Sequence, residues 1–162
     1  NANAIGENAG ATAERAIAIG TGARATAFSA IAEGTNAQAT GGASMATGLN
    51  ATASGRGAVA TGAGSTASGN SANAAGVYAT ASGDASNATG LSATASGDDS
   101  NAMGTGAAIS LDNGGNSIGV GIAISVNINE ANVTVDGLID TSNGGNNGDI
   151  VIDAYLSQNM DG

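Results

Sequence analysis

Small side chains recur along the first two thirds of this chain with a period of seven residues. From residue 6 to residue 104 every seventh position is Gly or Ala, the residue two before it is Ala, and the residue four before it is Ala or Ser. Small residues therefore recur at spacing two, the period of a strand, whose alternate side chains share one face. A coiled coil would place large apolar residues three and four positions apart. Each heptad is thus predicted to be one strand and one corner of a stacked repeat.

The two outward positions of each heptad alternate in character, so the predicted coil is fourteen residues long and contains two strands. One series is polar, and we expect its face to be solvent-exposed at Thr52, Ser54, Thr66, Ser68, Thr80, Ser82, Thr94 and Ser96. The other series starts apolar and ends in asparagine, and we expect it to form a subunit interface at Ile17, Ile19, Ile31, Met45, Val59, Asn73, Asn87 and Asn101. The three asparagines predict either a stacked amide ladder or a wetter half of that interface.

The heptad register ends near Gly106, and the composition changes there. Residues 1–106 are predicted to be a heptad-repeat β-roll, and residues 107–162 a smaller, acidic, Gly/Asn-rich β segment that closes or extends it. In this second segment, from Ile118 to Ile128, apolar residues alternate with small or polar ones, which predicts one half-buried strand. A last strand is predicted at Ile150 to Leu156, after a turn-rich stretch.

Composition excludes several classes of function. The net charge is −10 and the chain has three basic residues, whereas binding to nucleic acid or to anionic membranes needs clustered Lys or Arg. The longest apolar run is too short for a membrane-spanning helix, so no membrane contact is expected from this segment. Residues 115–119 (GNSIG) match the nucleophile-elbow pattern, but the chain contains no His to serve as the base. With neither His nor Cys, we expect no transition-metal site and no enzymatic activity.

Calcium is the one metal that the sequence allows. Residues 144–152 (GGNNGDIVI) nearly match a calcium-binding nonapeptide repeat, and Asp140, Asp149 and Asp153 are the candidate oxygen ligands. Such loops bind calcium when successive copies stack, and one copy is present, which favours a plain Gly/Asn turn capped by Asp149. The sequence therefore predicts no cofactor on the roll and leaves calcium open in the tail.

An unbroken register that pairs small inward residues with an apolar outward pair, as in residues 15–20 (RAIAIG), resembles the head repeats of trimeric autotransporter adhesins. These are the YadA-like, haemagglutinin-heptad family, and the resemblance covers residues 1–106. It implies a left-handed parallel β-roll in a trimer, with the apolar strand face toward the trimer axis, on a bacterial cell surface. Residues 119–127 (GVGIAISVN) and 148–154 (GDIVIDA) are similar to strand units of large filamentous bacterial adhesins.

Three functional hypotheses follow from these features. The first is a non-enzymatic, extracellular adhesin module that forms a homotrimer and binds a host matrix or cell-surface ligand through its repetitive surface. The second is a self-assembling filament subunit, joined through the roll ends or the strand predicted at Ile118 to Ile128. The third is an ice-binding solenoid that uses the Thr and Ser array. The plainer explanation of that array is that Thr suits any solvent-facing strand. A discrete trimer in solution would support the first, and a polydisperse series of masses the second.

Overall fold

The computed structural model describes residues 1–111, 115–118, 123–127 and 130–134. Within these ranges the regular structure consists of nineteen short strands, and no residue is helical. All pairs of neighbouring strands are parallel except the last, β18 with β19. The predicted all-β solenoid is therefore confirmed; its left hand stays a prediction.

The strands form two sheets, one from each of the two series of heptads. Sheet A contains β1 (Asn3–Ile5), β3 (Ile17–Ile19), β5 (Ile31–Glu33), β7 (Met45–Thr47), β9 (Val59–Thr61), β11 (Asn73–Ala75), β13 (Asn87–Thr89), β15 (Ser100–Met103) and β17 (Gly115–Ile118). Sheet B contains β2 (Gly10–Ala11), β4 (Arg24–Ala25), β6 (Gln38–Ala39), β8 (Thr52–Ala53), β10 (Thr66–Ala67), β12 (Thr80–Ala81), β14 (Thr94–Ala95), β16 (Ala108–Leu111), β18 (Ala123–Asn127) and β19 (Glu130–Thr134). The chain alternates between the sheets up to β18, so one coil contributes one strand to each.

The strand register repeats every fourteen residues, as predicted. Ala11 pairs with Ala25 and Ala25 with Ala39 in sheet B, and the same spacing aligns the strands of sheet A. Successive coils are joined by backbone hydrogen bonds, for example from Ile17 N to Ala30 O at 2.9 Å. Because each coil bonds only to its neighbours, the domain is a one-dimensional stack rather than a body around a central core.

The two sheets face each other across a layer of very small side chains. Among the residues whose burial is described, the buried side chains are all Ala or Ser, as the third and fifth heptad positions predicted. An Ala methyl group contributes only about 0.8 kcal/mol on burial. The backbone bonds between coils must therefore supply much of the cohesion.

Corners connect the sheets along two edges of the roll. Edge 1 is the row of corners that follow the sheet A strands: residues 7–8, 21–22, 35–36, 49–50, 63–64, 77–78, 91–92 and 105–106. Edge 2 is the row that follows the sheet B strands: residues 14–15, 28–29, 42–43, 56–57, 70–71, 84–85 and 98–99. The heptad-ending residue before edge 1 has positive φ, for example +125° at Gly20, and is Gly in every coil. Before edge 2 the φ is not positive, and Ala13 and Ala27 occupy this position in the first two coils.

Beyond Gly106 the strands continue both sheets, and the register changes after β16, which still pairs with β14 at an offset of fourteen residues. β17 pairs with β15 and β18 with β16 at an offset of fifteen residues, one more than in the repeats. The prediction of a single strand from Ile118 to Ile128 is wrong, because Ile118 ends a strand of sheet A and Ala123 begins a strand of sheet B. The alternation of apolar residues therefore continues from a strand of one sheet to a strand of the other. The boundary at residue 106/107 stays a prediction, and the strand predicted at Ile150 to Leu156 lies outside the described residues.

Candidate assembly face and exposed surfaces

One outward column of sheet A collects seven of the eight predicted interface residues. The pairing aligns Ile17, Ile31, Met45, Val59, Asn73, Asn87 and Asn101 in that order, one from each coil. Ile19 lies in the adjacent column, two residues along its strand. These seven are four aliphatic or thioether side chains followed by three amides, and the column continues to Asn3 at one end and Asn116 at the other. Sequence reasoning thus placed these residues on one face, because i and i+14 are neighbours in every coil.

The apolar half of this face is partly open to solvent in the single chain. Ile19 and Met45 are 37% and 39% exposed, and Ile17, Ile31 and Val59 are half-buried. Half-buried Ile and Val side chains retain apolar area that burial against a partner would remove from water. A contiguous apolar strip of this kind marks an interaction surface more often than an isolated exposed Leu does.

The three asparagines form the predicted amide ladder. Asn73 Nδ2 donates to Asn87 Oδ1 at 2.8 Å, and Asn87 Nδ2 donates to Asn101 Oδ1 at 2.8 Å. Thr89 Oγ1 adds a bond to Asn87 Oδ1 at 3.2 Å. An amide nitrogen has two N–H donors and the ladder uses one of them, so Asn73 and Asn87 each keep a second donor. This half of the face is therefore polar but internally bonded.

The outward face of sheet B has two rows of hydroxyls. Thr52, Thr66, Thr80 and Thr94 are half-buried and aligned in register. The second row lies two residues along the chain and is exposed at Ser54, Ser68, Ser82 and Ser96. The outward residues of the first strands break the threonine row, because Arg24 and Gln38 occupy the equivalent positions. Sheet B thus presents a polar face, the opposite of the apolar half of sheet A.

Edge 2 carries a polar ladder that sequence reasoning missed. Arg56 N donates to Asn70 Oδ1 at 3.2 Å, Asn70 N to Asp84 Oδ1 at 2.7 Å, and Asp84 N to Asp98 Oδ1 at 2.8 Å. Each side chain thereby accepts a bond from the corner N–H of the preceding coil. Asn70, chiefly through this backbone bond and also through its side chain, lowers the pKa of Asp84. The signal was available as Asn or Asp at fourteen-residue spacing in the first corner position.

The described residues offer little for catalysis or metal binding. Within them no three or more acidic residues come close enough to hold a metal ion. Ser117, the serine of the nucleophile-elbow match, lies inside β17, whereas an elbow requires a sharp turn from a strand into a helix. The candidate calcium ligands Asp140, Asp149 and Asp153 lie outside the described residues. Their role stays a prediction.

Comparison with known families accounts for the roll. A family model, the YadA head domain repeat (2 copies), matches residues 1–23, 25–51, 46–72, 60–86 and 74–100. The chain belongs to the YadA head family. The resemblance stated from the heptad register is thereby confirmed, and the family consists of bacterial surface adhesins of the trimeric autotransporter type. No curated protein sequence matches the chain.

The matched YadA head repeats contain the outward faces of sheet A and of sheet B. They cover sheet A from Asn3–Ile5 to Asn87–Thr89, including the apolar residues and most of the amide ladder. The final match ends at residue 100, close to where the register lengthens from fourteen to fifteen residues. Among the residues that the structure describes, no helix is long and apolar enough to cross a membrane.

Proposed function

We propose that this chain is a non-enzymatic head segment of an extracellular adhesin on a bacterial cell surface. It forms a homotrimer through sheet A and presents its polar sheet B outward to a host matrix or cell-surface ligand. The observation that carries the proposal is the opposite character of the two outward faces. The YadA head repeats support the surface location and the trimer.

The apolar column supports assembly through sheet A. Ile17, Ile31, Met45 and Val59 stack directly on one another, so a partner chain laid along the roll would cover all four together. Full burial of such a side chain contributes about 1.5–3 kcal/mol, and a half-buried one retains part of that gain for association. Three copies of a repeated surface also raise the avidity for a ligand without strengthening any single contact.

Paired charge substitutions test the assembly. Ile31→Asp would place an unpaired carboxylate in the proposed interface, and we expect a loss of several kcal/mol and dissociation of the trimer. Thr80→Asp on sheet B is the matched control, since it lies on the face left to solvent and should change stability by less than about 1 kcal/mol. Sedimentation equilibrium measures the molecular mass of both variants and so shows whether each stays trimeric. A wild-type monomer whose stability responds equally to both substitutions would overturn the trimer.

Ligand binding needs its own assay. Immobilised matrix proteins and host cells are exposed to the trimer and to the Ile31→Asp variant, and retention is measured after washing. Binding by multiple equal sites predicts that the dissociated variant washes off much faster than the trimer. Equal retention of the two would contradict binding through a repeated surface.

Two alternatives have distinct outcomes in the same experiments. A filament subunit would give a polydisperse series of masses in place of one trimer. The in-register threonines of sheet B are the observation behind the ice-binding alternative, and inhibition of ice recrystallisation that is lost in Thr80→Asp would support it.

A further inference from the structure

A row of aliphatic side chains lies along edge 1 in the later coils of the roll. Leu49, Ala63, Val77 and Leu91 occupy the same corner position in four successive coils, and the three larger ones are exposed. Tyr78 extends the row, because its ring lies against Gly64 of the preceding coil. This ladder is a contiguous apolar surface rather than scattered single residues.

The edge 1 ladder begins beside the last two coils of the apolar half of sheet A and extends past them. In the first coils sheet A carries isoleucines, and the equivalent edge 1 positions are Glu7, Thr21 and Thr35. In the coils of Asn73 and Asn87 sheet A carries the amide ladder, and edge 1 carries Val77 and Leu91. On sheet A the change from apolar to amide side chains falls between Val59 and Asn73, whereas on edge 1 the aliphatic row already begins at Leu49, four residues after Met45 in the same coil. The apolar surface therefore continues sideways from sheet A onto edge 1.

Charge is distributed as a buried edge requires. Between residues 35 and 111 the chain has four charged side chains, Arg56, Asp84, Asp98 and Asp99, and all four lie on edge 2. Edge 1 has none over the same coils. Interface cores are depleted of charged residues and enriched in aromatic ones, and edge 1 matches both features through its lack of charge and Tyr78.

We infer that the edge 1 ladder packs against a second copy of this chain and continues the sheet A interface around the edge in the later coils. This inference rests on the proposed trimer. A second copy is the occupant because the ladder is continuous with the assembly face, since Leu49 follows Met45 by four residues in the same coil. In the later coils the subunits would then contact each other by an edge as well as by a face.

Thiol labelling tests this arrangement, because the natural chain contains no cysteine. Leu91→Cys puts one thiol on the ladder, at a residue that is 50% exposed in the single chain. Phe28→Cys is the matched control on edge 2, at a residue that is 53% exposed. If the edge contact is open only in a minor population, we expect the thiol of Leu91→Cys to react at least roughly ten times more slowly than that of Phe28→Cys in the native assembly. Circular dichroism checks that both variants keep their strands.

The same two thiols are then measured in the Ile31→Asp background. Dissociation should expose the ladder, so that Leu91→Cys reacts as fast as Phe28→Cys. Equal reaction rates in an intact trimer would overturn the edge contact and leave the trimer standing. Slow reaction in the dissociated chain would also overturn it, since the protection would then come from within one chain. A wild-type monomer would overturn the edge contact and the trimer together.

Discussion

A methyl group added to the glycine at the end of a sheet A heptad is predicted to disrupt the stacking of the coils. Gly48 has φ +138°, a conformation that L residues rarely adopt. A Cβ there would lie 2.5 Å from Gly62 O in the next coil. Ordinary contact begins at 3.4 Å, so the two backbones would have to separate by 0.9 Å, the difference between these distances. Because the neighbouring atom is backbone, no side-chain rotation can relieve the overlap.

The expected cost of Gly48→Ala follows from these contacts. Backbone strain of this kind costs about 1–3 kcal/mol. Displacing Gly62 O also disturbs the two bonds it accepts from Ser65, from N at 3.3 Å and from Oγ at 2.9 Å. Each such bond is worth about 0.5–1.5 kcal/mol. We therefore expect Gly48→Ala to lower the free energy of unfolding by about 2–6 kcal/mol.

Gly42→Ala is the matched control, six residues earlier in the same coil. A Cβ at Gly42 would meet nothing within 4 Å, and its φ is not positive. Replacing such a glycine reduces the conformational entropy of the unfolded chain, and we expect a gain of about 0.4–1 kcal/mol. Urea denaturation followed by circular dichroism, at one protein concentration and with unchanged m-values, measures both variants. The reasoning is refuted if Gly48→Ala unfolds within 1 kcal/mol of the natural chain, or if both substitutions destabilise it equally.

Two further predictions use the serines of the core and the ladder of edge 2. Ser86 Oγ donates to Gly83 O at 2.6 Å, whereas Ser44 Oγ is buried without a partner. In urea denaturation we therefore expect Ser44→Ala to be as stable as the natural chain or more stable, and Ser86→Ala to be less stable by about 1 kcal/mol. The reverse order of stability would contradict this. The Asp84 carboxylate accepts bonds from Asn70, and its pKa is lower in the folded chain than in the unfolded one. The contribution of Asp84 to stability is therefore complete above the pKa of the unfolded state and is lost as the pH falls through the pKa of the folded state. Below pH about 4 we expect the melting temperature of Asp84→Asn to fall less with acid than that of the natural chain. An identical acid profile in Asp84→Asn would show that this carboxylate contributes nothing.

The sequence alone determined the coil, the core and the two kinds of face. Small residues at spacing two within a period of seven allow two strands to face each other closely, and the alternation of outward pairs assigns successive heptads to different sheets. The Ala11, Ala25 and Ala39 stack and the amide ladder at Asn73, Asn87 and Asn101 follow from this register, because a fourteen-residue offset makes equivalent positions neighbours.

The tertiary structure decided what happens at the corners. Ile118 and Ala123 belong to different sheets, although their apolar alternation is continuous along the chain. The positive φ of Gly48, the geometry of the edge 2 bonds and the exposure of the edge 1 side chains also came from the structure. A corner's backbone conformation and neighbours depend on how the coils stack in three dimensions. Strand periodicity determines which face a side chain occupies, but it carries no information on the direction in which the chain turns.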